Sequence, residues 1–431
     1  MTLIDKIKSG RAAITVMGMG YVGLPLAQAL SRTYKTVYGY DPDQHKIKQL
    51  EAGRSYINDI TAASVRMALK QGLRPSQQAA VLGKSDVIII CVPTPLDEFK
   101  IPDLGYIRSA MKAVIQYMRK DTLVVLESTT YPGTTDEELI DVVHKQTKFK
   151  LGKSFYAGFS PERIDPGNKT YQLHNTPKVV GGAEPRSQKM LEALYSKLGA
   201  PVVSVSNPRT AEITKLLENI FRNVNIALIN EFALLCNRMD IDVWEVIAAA
   251  KTKPYGFMPF YPGPGLGGHC IPLDPFYLAF RAKKYNFYTR FIELAGEIND
   301  GMPHFIVTKI NFALNSLSKA LRGSKVLVLG VAYKKDVNDA RETPARSIIA
   351  QLLKKGVQVS YVDPYIPKFK VGTRTLNSLS GAKLNFANFD LVLVHTDHSV
   401  FDYGKLLKAK TLLVDTRNVF PGKKRKGLFK L

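Results

Sequence analysis

The stretch from Tyr261 to Pro275, YPGPGLGGHCIPLDP, places a single cysteine behind a loop of glycines and prolines. A loop with so few side chains lets backbone N–H groups approach a ligand closely and holds Cys270 in a fixed position. A partly ionised cysteine attacks carbonyl carbon well, and Asp274 could order a water or an amine beside it. The alternative is that Cys270 is a small buried hydrophobic residue, as most isolated cysteines are. Two dinucleotide-type segments, one on each side of the loop, favour covalent catalysis.

A glycine motif near the start of the chain predicts a dinucleotide site. An apolar strand pattern over Ala12 to Met17 meets GMGYVG, and helical spacing follows, which is the context that such a motif requires. Gly18 would make the turn, Gly20 would admit the pyrophosphate, and Gly23 would let the helix pack on the strand. The pyrophosphate would then lie at the positive N-terminus of the helix. The predicted cofactor contacts in this motif are Gly18, Gly20, Tyr21, Val22 and Gly23.

Asp41 follows the second predicted strand, about 20 residues beyond the glycine motif. A carboxylate at this position is placed to accept hydrogen bonds from the ribose hydroxyls of the cofactor. The same negative charge would repel the extra phosphate of NADP. The sequence therefore predicts NAD as the cofactor.

Two continuous apolar strands, Ser85 to Val92 and Leu123 to Leu126, are typical of a parallel sheet. Thr94 and Thr129 follow their ends, and ligands of open parallel sheets collect at the carboxyl ends of the strands. Both threonines are therefore candidate cofactor contacts. The alternative is that their hydroxyls only satisfy the backbone of turns.

A further strand, Phe155 to Phe159, runs into the turn SPERIDPG. This turn carries three charged residues at a strand end, so Glu162 and Arg163 could face the same ligand.

A helical pattern that is much longer than average begins at Asn207 and Pro208, a capping residue followed by proline at the first helical position. This helix is expected to join two lobes. Lys215 and Asn219 are four residues apart and therefore lie on one face. Their neighbours are mostly apolar, which favours a functional pair over an exposed lysine on a solvated face.

The last third of the chain predicts a second doubly wound unit, with strands that begin near Lys325, Gln358, Asp390 and Thr411. This unit has only Gly330 at its first turn and lacks the full glycine motif. We therefore expect it to bind something other than a second dinucleotide. The loop after its first strand contains Lys334 and Arg341, where phosphate contacts are expected.

Composition limits the possible classes of protein. The 431 residues are enough for two or three domains, and no apolar run reaches the length of a membrane span. The three cysteines lack disulfide or metal-ligand spacing, and the start lacks a signal-peptide pattern, so a cytoplasmic protein without a metal site is expected. The net charge of +23 favours phosphate-bearing ligands, with no nucleic-acid or membrane partner expected. The basic run from Gly422 to Lys430 is interpreted as a solvated terminus.

The order of these parts resembles the UDP-glucose/GDP-mannose dehydrogenase family, essentially from end to end. The motifs that carry the resemblance are GMGYVG, CVPTP, ESTTYPG, SPERIDPG, the Lys215–Asn219 pair, GPGLGGHCIPLD and VAYKKDVNDARETP. The resemblance implies two Rossmann-like domains joined by a long helix and a helical, dimer-forming middle. The expected domains are residues 1–205 for NAD, 206–310 for the dimer and the cysteine loop, and 311–431 for the UDP-sugar.

The resemblance also implies a four-electron oxidation of a sugar C6 alcohol to a carboxylate, with two NAD consumed. Cys270 would be the nucleophile, Lys215 would stabilise oxyanions, and water aided by Thr129, Glu162 and Asp274 would release the acid. Asn219 would assist the first hydride transfer, and Arg341 would contact the cofactor. The expected substrate contacts are Glu162, Arg163, Lys215, Asn219, Tyr261, Gly267, Tyr333 and Lys334.

Arg163-Ile-Asp-Pro-Gly resembles the branch of the family that oxidises N-acetylated UDP-hexosamines, and ESTTYPGTT and TPKVVGG favour UDP-N-acetylglucosamine. The alternatives are UDP-glucose and the N-acetylmannosamine or N-acetylgalactosamine epimer. A two-electron hydroxyacid dehydrogenase and a non-catalytic basic nucleotide- or nucleic-acid-binding module are the rivals from other classes. Many relatives have an arginine before the cysteine loop that reaches a neighbouring subunit's substrate, whereas this chain has Lys251 and Lys253 there.

Overall fold

The chain forms two compact units. The first, here the N-terminal unit, contains Met1–Glu218 and Phe276–Tyr288, and the second, the C-terminal unit, contains Asn219–Pro275 and Thr289–Leu431. The three domains predicted from the sequence are not decided by this division and stay a prediction. The computed structural model describes residues 1–57, 60–97, 99–163, 168, 170–268, 270–381 and 384–431, without the side chain of Cys270.

Within the described residues, the N-terminal unit contains one eight-stranded sheet in the order β3-β2-β1-β4-β5-β6-β7-β8. Its strands are β1 (Ala13–Met17), β2 (Thr36–Tyr40), β3 (Leu73–Ser76), β4 (Val87–Ile90), β5 (Thr122–Leu126), β6 (Phe155–Phe159), β7 (Lys178–Gly182) and β8 (Val202–Val205). Its helices are α1 (Leu3–Lys8), α2 (Gly23–Ser31), α3 (Gln44–Glu51), α4 (Ala62–Gln71), α5 (Gly105–Tyr117), α6 (Asp141–Gln146) and α7 (Pro185–Tyr195).

Neighbouring strands of this sheet are parallel except β6 and β7. Every residue of β4 and β5 is buried, as expected for strands that are covered on both faces. The strand order reverses between β1 and β4. In open parallel sheets the ligand crevice lies outside the carboxyl ends of the strands at such a reversal.

The remaining helices are α8 (Pro208–Arg238), α9 (Val243–Ala250), α10 (Cys270–Ala282), α11 (Arg290–Asn315), α12 (Pro344–Lys354) and α13 (Tyr403–Lys408). The strands of the C-terminal unit are β9 (Lys325–Leu329), β10 (Gln358–Val362), β11 (Lys368–Val371), β12 (Arg374–Asn377), β13 (Leu391–Val394), β14 (Leu412–Asp415) and β15 (Leu428–Lys430). A parallel sheet has the order β10-β9-β13-β14-β15, with its reversal between β9 and β13. Two Rossmann-like sheets and a long helix confirm the predicted fold class.

Helix α8 begins at Pro208, as its capping signal predicts. The side-chain oxygen of Asn207 accepts a hydrogen bond from the N–H of Thr210 at 2.9 Å, and this bond satisfies one of the free donors of the first turn. With 31 residues, the helix is about 46 Å long. Within the described part of the chain, no helix is both long and apolar enough to cross a membrane.

The end of the chain differs from the sequence prediction. The interpretation of residues 422–430 as a solvated terminus is wrong for the last residues, because β15 pairs in parallel with β14 and the N–H of Leu431 donates to the carbonyl of Asp415 at 3.0 Å. Leu431 is buried. The apolar residues after the lysines supply side chains that can pack, and the free edge of β14 supplies hydrogen-bond partners.

Candidate functional site

The glycine motif has the geometry that its sequence predicts. Gly18 has a φ of +92°, and a Cβ at this position would lie 2.5 Å from the carbonyl oxygen of Cys91. A Cβ at Gly23 would lie 1.8 Å from the carbonyl oxygen of Gly18, so only glycine fits there. A Cβ at Gly20 would meet nothing within 4 Å. The turn therefore leaves open space beside the backbone of Gly20, at the start of α2, which fits the pyrophosphate of a dinucleotide. Tyr21 is 37% exposed, and Val22 is the residue before the first residue of α2.

Asp41 fixes this turn as well as ending β2. Its carboxylate accepts hydrogen bonds from the N–H of Met19 at 2.9 Å and of Asp43 at 3.0 Å, and it forms an ion pair with Lys46 at 3.0 Å. An ionised carboxylate has about four acceptor positions, so Asp41 can still accept from a ribose. Lys46 was missed by the sequence reasoning, although a lysine in the first turns of α3 is placed close to such an aspartate.

Thr94 and Thr129 are in contact. The hydroxyl of Thr94 donates to the carbonyl of Thr129 at 2.7 Å, and the carbonyl of Thr94 accepts from the hydroxyl of Tyr277. The loops that follow β4 and β5 are thereby tied together at the crevice. Contact of either threonine with the cofactor stays a prediction, and the turn-satisfying alternative describes part of what Thr94 does.

A buried glutamate on α8 holds the loop after β5. Glu212 is fully buried, and its carboxylate accepts from the N–H of Gly133 at 2.6 Å and from the N–H and hydroxyl of Thr135 at 2.9 and 2.7 Å. Burial raises the pKa of Glu212 to about 7, although these three donors favour its ionised form. Glu212 lies one helical turn before Lys215, so the same helix fixes both the loop and the lysine.

The loop after β6 is attached to α8 by two side chains. The ammonium group of Lys215 donates to the carbonyl of Glu162, and both residues are buried. The guanidinium of Arg163 pairs with Glu218, at 2.6 Å for the shorter contact, and also donates to the carbonyl of Pro177 at 2.7 Å. The structure thus brings Lys215 and Glu162 together as predicted candidates. It gives Arg163 a role in holding the loop, while its contact with a sugar stays a prediction.

A second buried network lies at the carboxyl end of β5. The ammonium group of Lys178 is 2.9 Å from the carboxylate of Glu127 and 3.1 Å from the carbonyl of Pro161, and the hydroxyl of Tyr195 donates to Glu127. Burial raises the pKa of Glu127, whereas the charge of Lys178 opposes this shift. The sequence reasoning missed this network. It supports the backbone next to Glu162.

In the C-terminal unit, Asn219 on α8 meets Asp274 on α10. The amide of Asn219 donates to the carboxylate of Asp274, and its oxygen accepts from the guanidinium of Arg222. Asn219 and Asp274 are 0% and 1% exposed. Two predicted catalytic side chains are therefore paired in a buried position, four residues after Cys270 along α10.

Further asparagines hold the cysteine loop from its start to its end. Asn230 accepts from the N–H of Gly263 at 3.0 Å and donates to Asn299 at 2.9 Å. Asn299 donates to the carbonyl of Asn223 at 3.3 Å, and Asn223 donates to the carbonyl of Ile271 at 3.1 Å. The sequence reasoning missed these residues, although positions 219, 223 and 230 share one face of a helix.

The glycines before Cys270 are required by a neighbouring ring. A Cβ at Gly267 would lie 2.6 Å from the Cβ of Tyr333, and a Cβ at Gly268 would lie 2.8 Å from its ring. The N–H of Gly268 also donates to the carbonyl of Arg341 at 3.1 Å. Gly267, Tyr333 and Arg341 are thus brought together as part of one packed loop pair. The side chain of Cys270 lies outside the described residues.

The other predicted contacts in this unit lie around the same loop pair. Tyr261 is 50% exposed and stacks on Trp244, and Lys334 is half-buried next to Tyr333. The guanidinium of Arg341 forms a two-pronged ion pair with Asp339. Its contact with the cofactor stays a prediction.

Arg417, which follows β14, was missed. A Cβ at Gly263 would lie 3.0 Å from its guanidinium, which donates to the carbonyl of His395 at 2.8 Å. Burial lowers the pKa of Arg417 from its ordinary value. A cation at the carboxyl end of a strand, next to the cysteine loop, suits a phosphate-bearing ligand. The signal in the sequence was TRN directly after the apolar strand.

Three family models match the chain. They are described as the NAD binding domain, the central domain and the UDP binding domain of the UDP-glucose/GDP-mannose dehydrogenase family, and they match residues 12–199, 209–301 and 327–422. A UDP-N-acetyl-D-glucosamine 6-dehydrogenase of Pseudomonas aeruginosa is 36% identical over 82% of this chain and 83% of its own length. A UDP-N-acetyl-D-mannosamine dehydrogenase of Methanocaldococcus jannaschii is 34% identical over 97% of this chain and 95% of its own. The solved structure of a UDP-D-ManNAc dehydrogenase from Pyrococcus horikoshii has a TM-score of 0.87 at 31% identity and covers 97% of this chain and 98% of its own.

Two glycine substitutions should separate folding from cofactor binding. Gly20→Ala should leave the melting temperature unchanged, because the new methyl group meets no protein atom within 4 Å. It should weaken NAD binding at least about tenfold, because the methyl group occupies the space that the pyrophosphate needs. Gly23→Ala should instead lower the melting temperature, since its methyl group collides with the backbone. Calorimetric titration with NAD and thermal unfolding measure the two effects, and equal behaviour of the two variants would contradict this assignment.

The asparagine contacts predict an effect at the cysteine loop alone. Asn230→Ala leaves the N–H of Gly263 without its acceptor, which should cost about 1–3 kcal/mol locally and loosen the loop. The alkylation rate of Cys270, measured by mass spectrometry of its peptide, should therefore rise several-fold, while NAD affinity stays unchanged. Asn225→Ala is the control, because this half-buried asparagine on the same helix donates only to the carbonyl of Phe221 in the described structure. If the two variants label alike, Asn230 does not hold the loop.

Proposed function

This chain belongs to the UDP-glucose/GDP-mannose dehydrogenase family, and we propose that it oxidises the C6 hydroxyl of a UDP-N-acetylhexosamine, foremost UDP-N-acetylglucosamine, to a carboxylate. It is an NAD-dependent UDP-sugar 6-dehydrogenase, an oxidoreductase. The observation that carries the proposed chemistry is the buried pair of Asn219 and Asp274, on the two helices that flank the cysteine loop.

The glycine turn and Asp41 would hold the cofactor. The backbone at Gly20 would accept the pyrophosphate, and Asp41, with Lys46 beside it, would bind the adenosine ribose. Thr94 and Thr129 lie at the strand ends where the rest of the cofactor is expected. When bound, NAD supplies the acceptor for one hydride from C6 in each of two successive oxidations.

The residues of this chain would supply the covalent and proton-transfer chemistry. After the alcohol has become an aldehyde, the sulfur of Cys270 forms a bond to C6 and the aldehyde oxygen takes up a proton, giving a thiohemiacetal. Loss of the second hydride and of that proton leaves a thioester. Water then adds to C6, the C–S bond breaks, and the carboxylate leaves with the thiol restored. The sugar gives up four electrons, which reduce two NAD.

The proposed roles of the polar residues follow from what each can do. Lys215 would stabilise the oxyanion that develops on C6, because its charge is held in a buried position. Asn219 and Asp274 would order the water or hydroxyl that exchanges protons with C6. Glu162 and Thr129 would assist the hydrolysis of the thioester.

The UDP part of the substrate would contact the loops around Tyr333. The matched UDP binding domain supports this proposal, as do the positions of Tyr261, Gly267 and Lys334 around the cysteine loop. We add Arg417 to these contacts, since its guanidinium lies beside the same loop. Glu162 and Arg163 would contact the sugar.

The identity of the sugar is the finer part of the proposal. UDP-N-acetylglucosamine is supported by the Pseudomonas aeruginosa relative and by the sequence of residues 127–135 and 176–182. UDP-N-acetylmannosamine is the second candidate, favoured by the Methanocaldococcus jannaschii and Pyrococcus horikoshii proteins. The acidic sugar nucleotide would serve surface polysaccharide synthesis. Free, buried thiols at Cys91 and Cys236 support a cytoplasmic location.

A homodimer is also proposed, on the basis of an apolar stripe on α8. Phe221, Leu228, Phe232 and Leu235 are 46%, 46%, 46% and 51% exposed and lie on one face of the helix. A single copy of the chain leaves this face in water. The same face of a second copy would cover it through a symmetric interface.

The first test is the number of NADH formed per sugar nucleotide consumed. Two NADH per UDP-N-acetylglucosamine, with much slower turnover of UDP-N-acetylmannosamine, UDP-N-acetylgalactosamine and UDP-glucose, is the expected result. Faster turnover of another sugar nucleotide would replace the substrate but keep the chemistry. One NADH per sugar would identify a two-electron dehydrogenase and overturn the thioester route.

Cys270 variants test the covalent step directly. Cys270→Ala should lose net formation of the uronic acid by a factor of at least about 10³, because no thioester forms. NAD affinity should stay unchanged in a calorimetric titration. Cys236→Ala is the matched control and should keep full activity, since Cys236 is buried away from the loop in the core of the C-terminal unit. Full oxidation by the Cys270→Ala enzyme would rule out the nucleophile.

Charges in the α8 stripe should prevent dimer formation. Leu228→Glu with Phe232→Glu should halve the mass measured by light scattering, because two buried carboxylates per copy would oppose association. Met67→Glu with Val400→Glu introduces the same charges at residues that are 54% and 63% exposed elsewhere and should leave the mass unchanged. A wild-type protein with the mass of one chain would refute the dimer.

A further inference from the structure

Lysines are concentrated on one part of the C-terminal unit. Six exposed lysines lie on α13 and on the segment before β15, and we call them the lysine surface: Lys405, Lys408, Lys410, Lys423, Lys424 and Lys426. In the described part of this unit, the lysine ion pairs are Lys319–Asp390, Lys335–Asp397 and Lys430–Asp242. None of them involves the lysine surface, so its charges face solvent without an acidic partner among the described residues.

One arginine holds the two lysine-bearing segments side by side. The guanidinium of Arg425 donates to the carbonyl of Leu407 at 3.0 Å and also to the carbonyls of Ala409 and Thr411. The N–H of Leu413 donates to the carbonyl of Gly427 at 2.8 Å and continues the attachment into the sheet. The lysines therefore lie on a fixed surface rather than on a solvated tail.

The charge of the whole chain is unevenly distributed. Residues 311–431 contain 22 lysines and arginines against 8 aspartates and glutamates, so they supply more than half of the net charge of +23. A field of this size and sign attracts anionic surfaces over about one Debye length, roughly 10 Å at 0.1 M salt.

We propose that the lysine surface docks this enzyme reversibly on an anionic phospholipid bilayer. Clusters of four to eight basic residues bind such surfaces, and each lysine near the surface contributes about a fivefold gain in affinity. A bilayer presents its charges across a plane, which suits lysines on two adjacent segments. This partner departs from the sequence expectation of no membrane partner. It does not depend on which UDP-sugar is oxidised.

Nucleic acid fits the lysine surface less well. Nucleic-acid sites combine basic residues with arginine forks and exposed aromatic rings that stack on bases. In residues 405–426 both arginines donate to backbone carbonyls, Arg417 to that of His395 and Arg425 to three others. The aromatic residue of this segment, Phe420, is buried.

Vesicle flotation with the full chain tests the proposal. Wild-type protein should float with vesicles of phosphatidylglycerol and phosphatidylcholine at ~0.1 M salt and should not float with phosphatidylcholine alone. The substitutions Lys408→Gln, Lys410→Gln, Lys423→Gln and Lys424→Gln together should weaken binding at least tenfold. The matched control carries Lys354→Gln, Lys355→Gln, Lys368→Gln and Lys370→Gln, all exposed in the same unit, and should bind within twofold of wild type.

Each other outcome overturns the proposal. No flotation of the wild type, or equal flotation with uncharged vesicles, would remove the bilayer as a partner. Equal losses in the two variants would mean that net charge acts without a defined surface. Tighter binding of a single-stranded oligonucleotide through the same four lysines, at the same salt, would assign the surface to nucleic acid. Both variants should keep the wild-type rate of NADH formation, so a failure of the proposed oxidation is distinguished from a failure of docking.

Discussion

The structure depends on a helix whose buried face is polar. Along α8, Glu212, Lys215, Asn219, Asn223 and Asn230 are all buried and follow one another at helical spacing. Burying such groups is unfavourable unless each is hydrogen-bonded. Each therefore has a partner on a different loop: the turn after β5, the turn after β6, Asp274, and the end and the start of the cysteine loop. The helix thus fixes the loops that bear the proposed chemistry by satisfying their backbone and side-chain groups.

The sequence predicts those features that depend on neighbouring residues. Continuous apolar runs predict β4 and β5, the cap at Asn207 predicts the start of α8, and the glycine motif predicts a turn that only glycine can form. The family, the fold class and the cofactor are confirmed. Helix α11 shows a limit of this approach, because GMP at residues 301–303 indicated its end, yet buried Met302, Ile306 and Ile310 pack in the core and extend it to Asn315.

Other features depend on partners that are far away in the chain. Glu212 meets Gly133, Lys178 meets Glu127, and Arg417 lies beside Gly263, and no local spacing indicates any of these contacts. The basic terminus was misinterpreted for the same reason, since its lysines indicated solvent whereas its partner strand, β14, determined its structure. Long-range pairs of this kind are visible only once the sheets have formed.

The two Rossmann-like sheets use the same device for different ends. In both, an aspartate after the second strand accepts from the N–H groups of the first turn: Asp41 from Met19, and Asp363 from Val331 and Ala332 at 2.7 and 3.0 Å. In the first sheet α2 begins directly at Gly23, and the space beside Gly20 is open. In the second, a Cβ at Gly330 would lie 2.5 Å from the side chain of Thr396, and the next helix begins only at Pro344.

This difference explains why the second sheet does not repeat the dinucleotide site. Its first turn is filled by protein and has no helix N-terminus to receive a pyrophosphate. His398, fully buried, donates to Asp363 and accepts from the N–H of Asp336, so it fixes the loop that carries Tyr333 and Lys334. The duplicated crevice has been closed, and the loop that covers it packs against the glycines before Cys270. The second unit therefore supports the cysteine loop with the same strand-end position that the first unit keeps open for the cofactor.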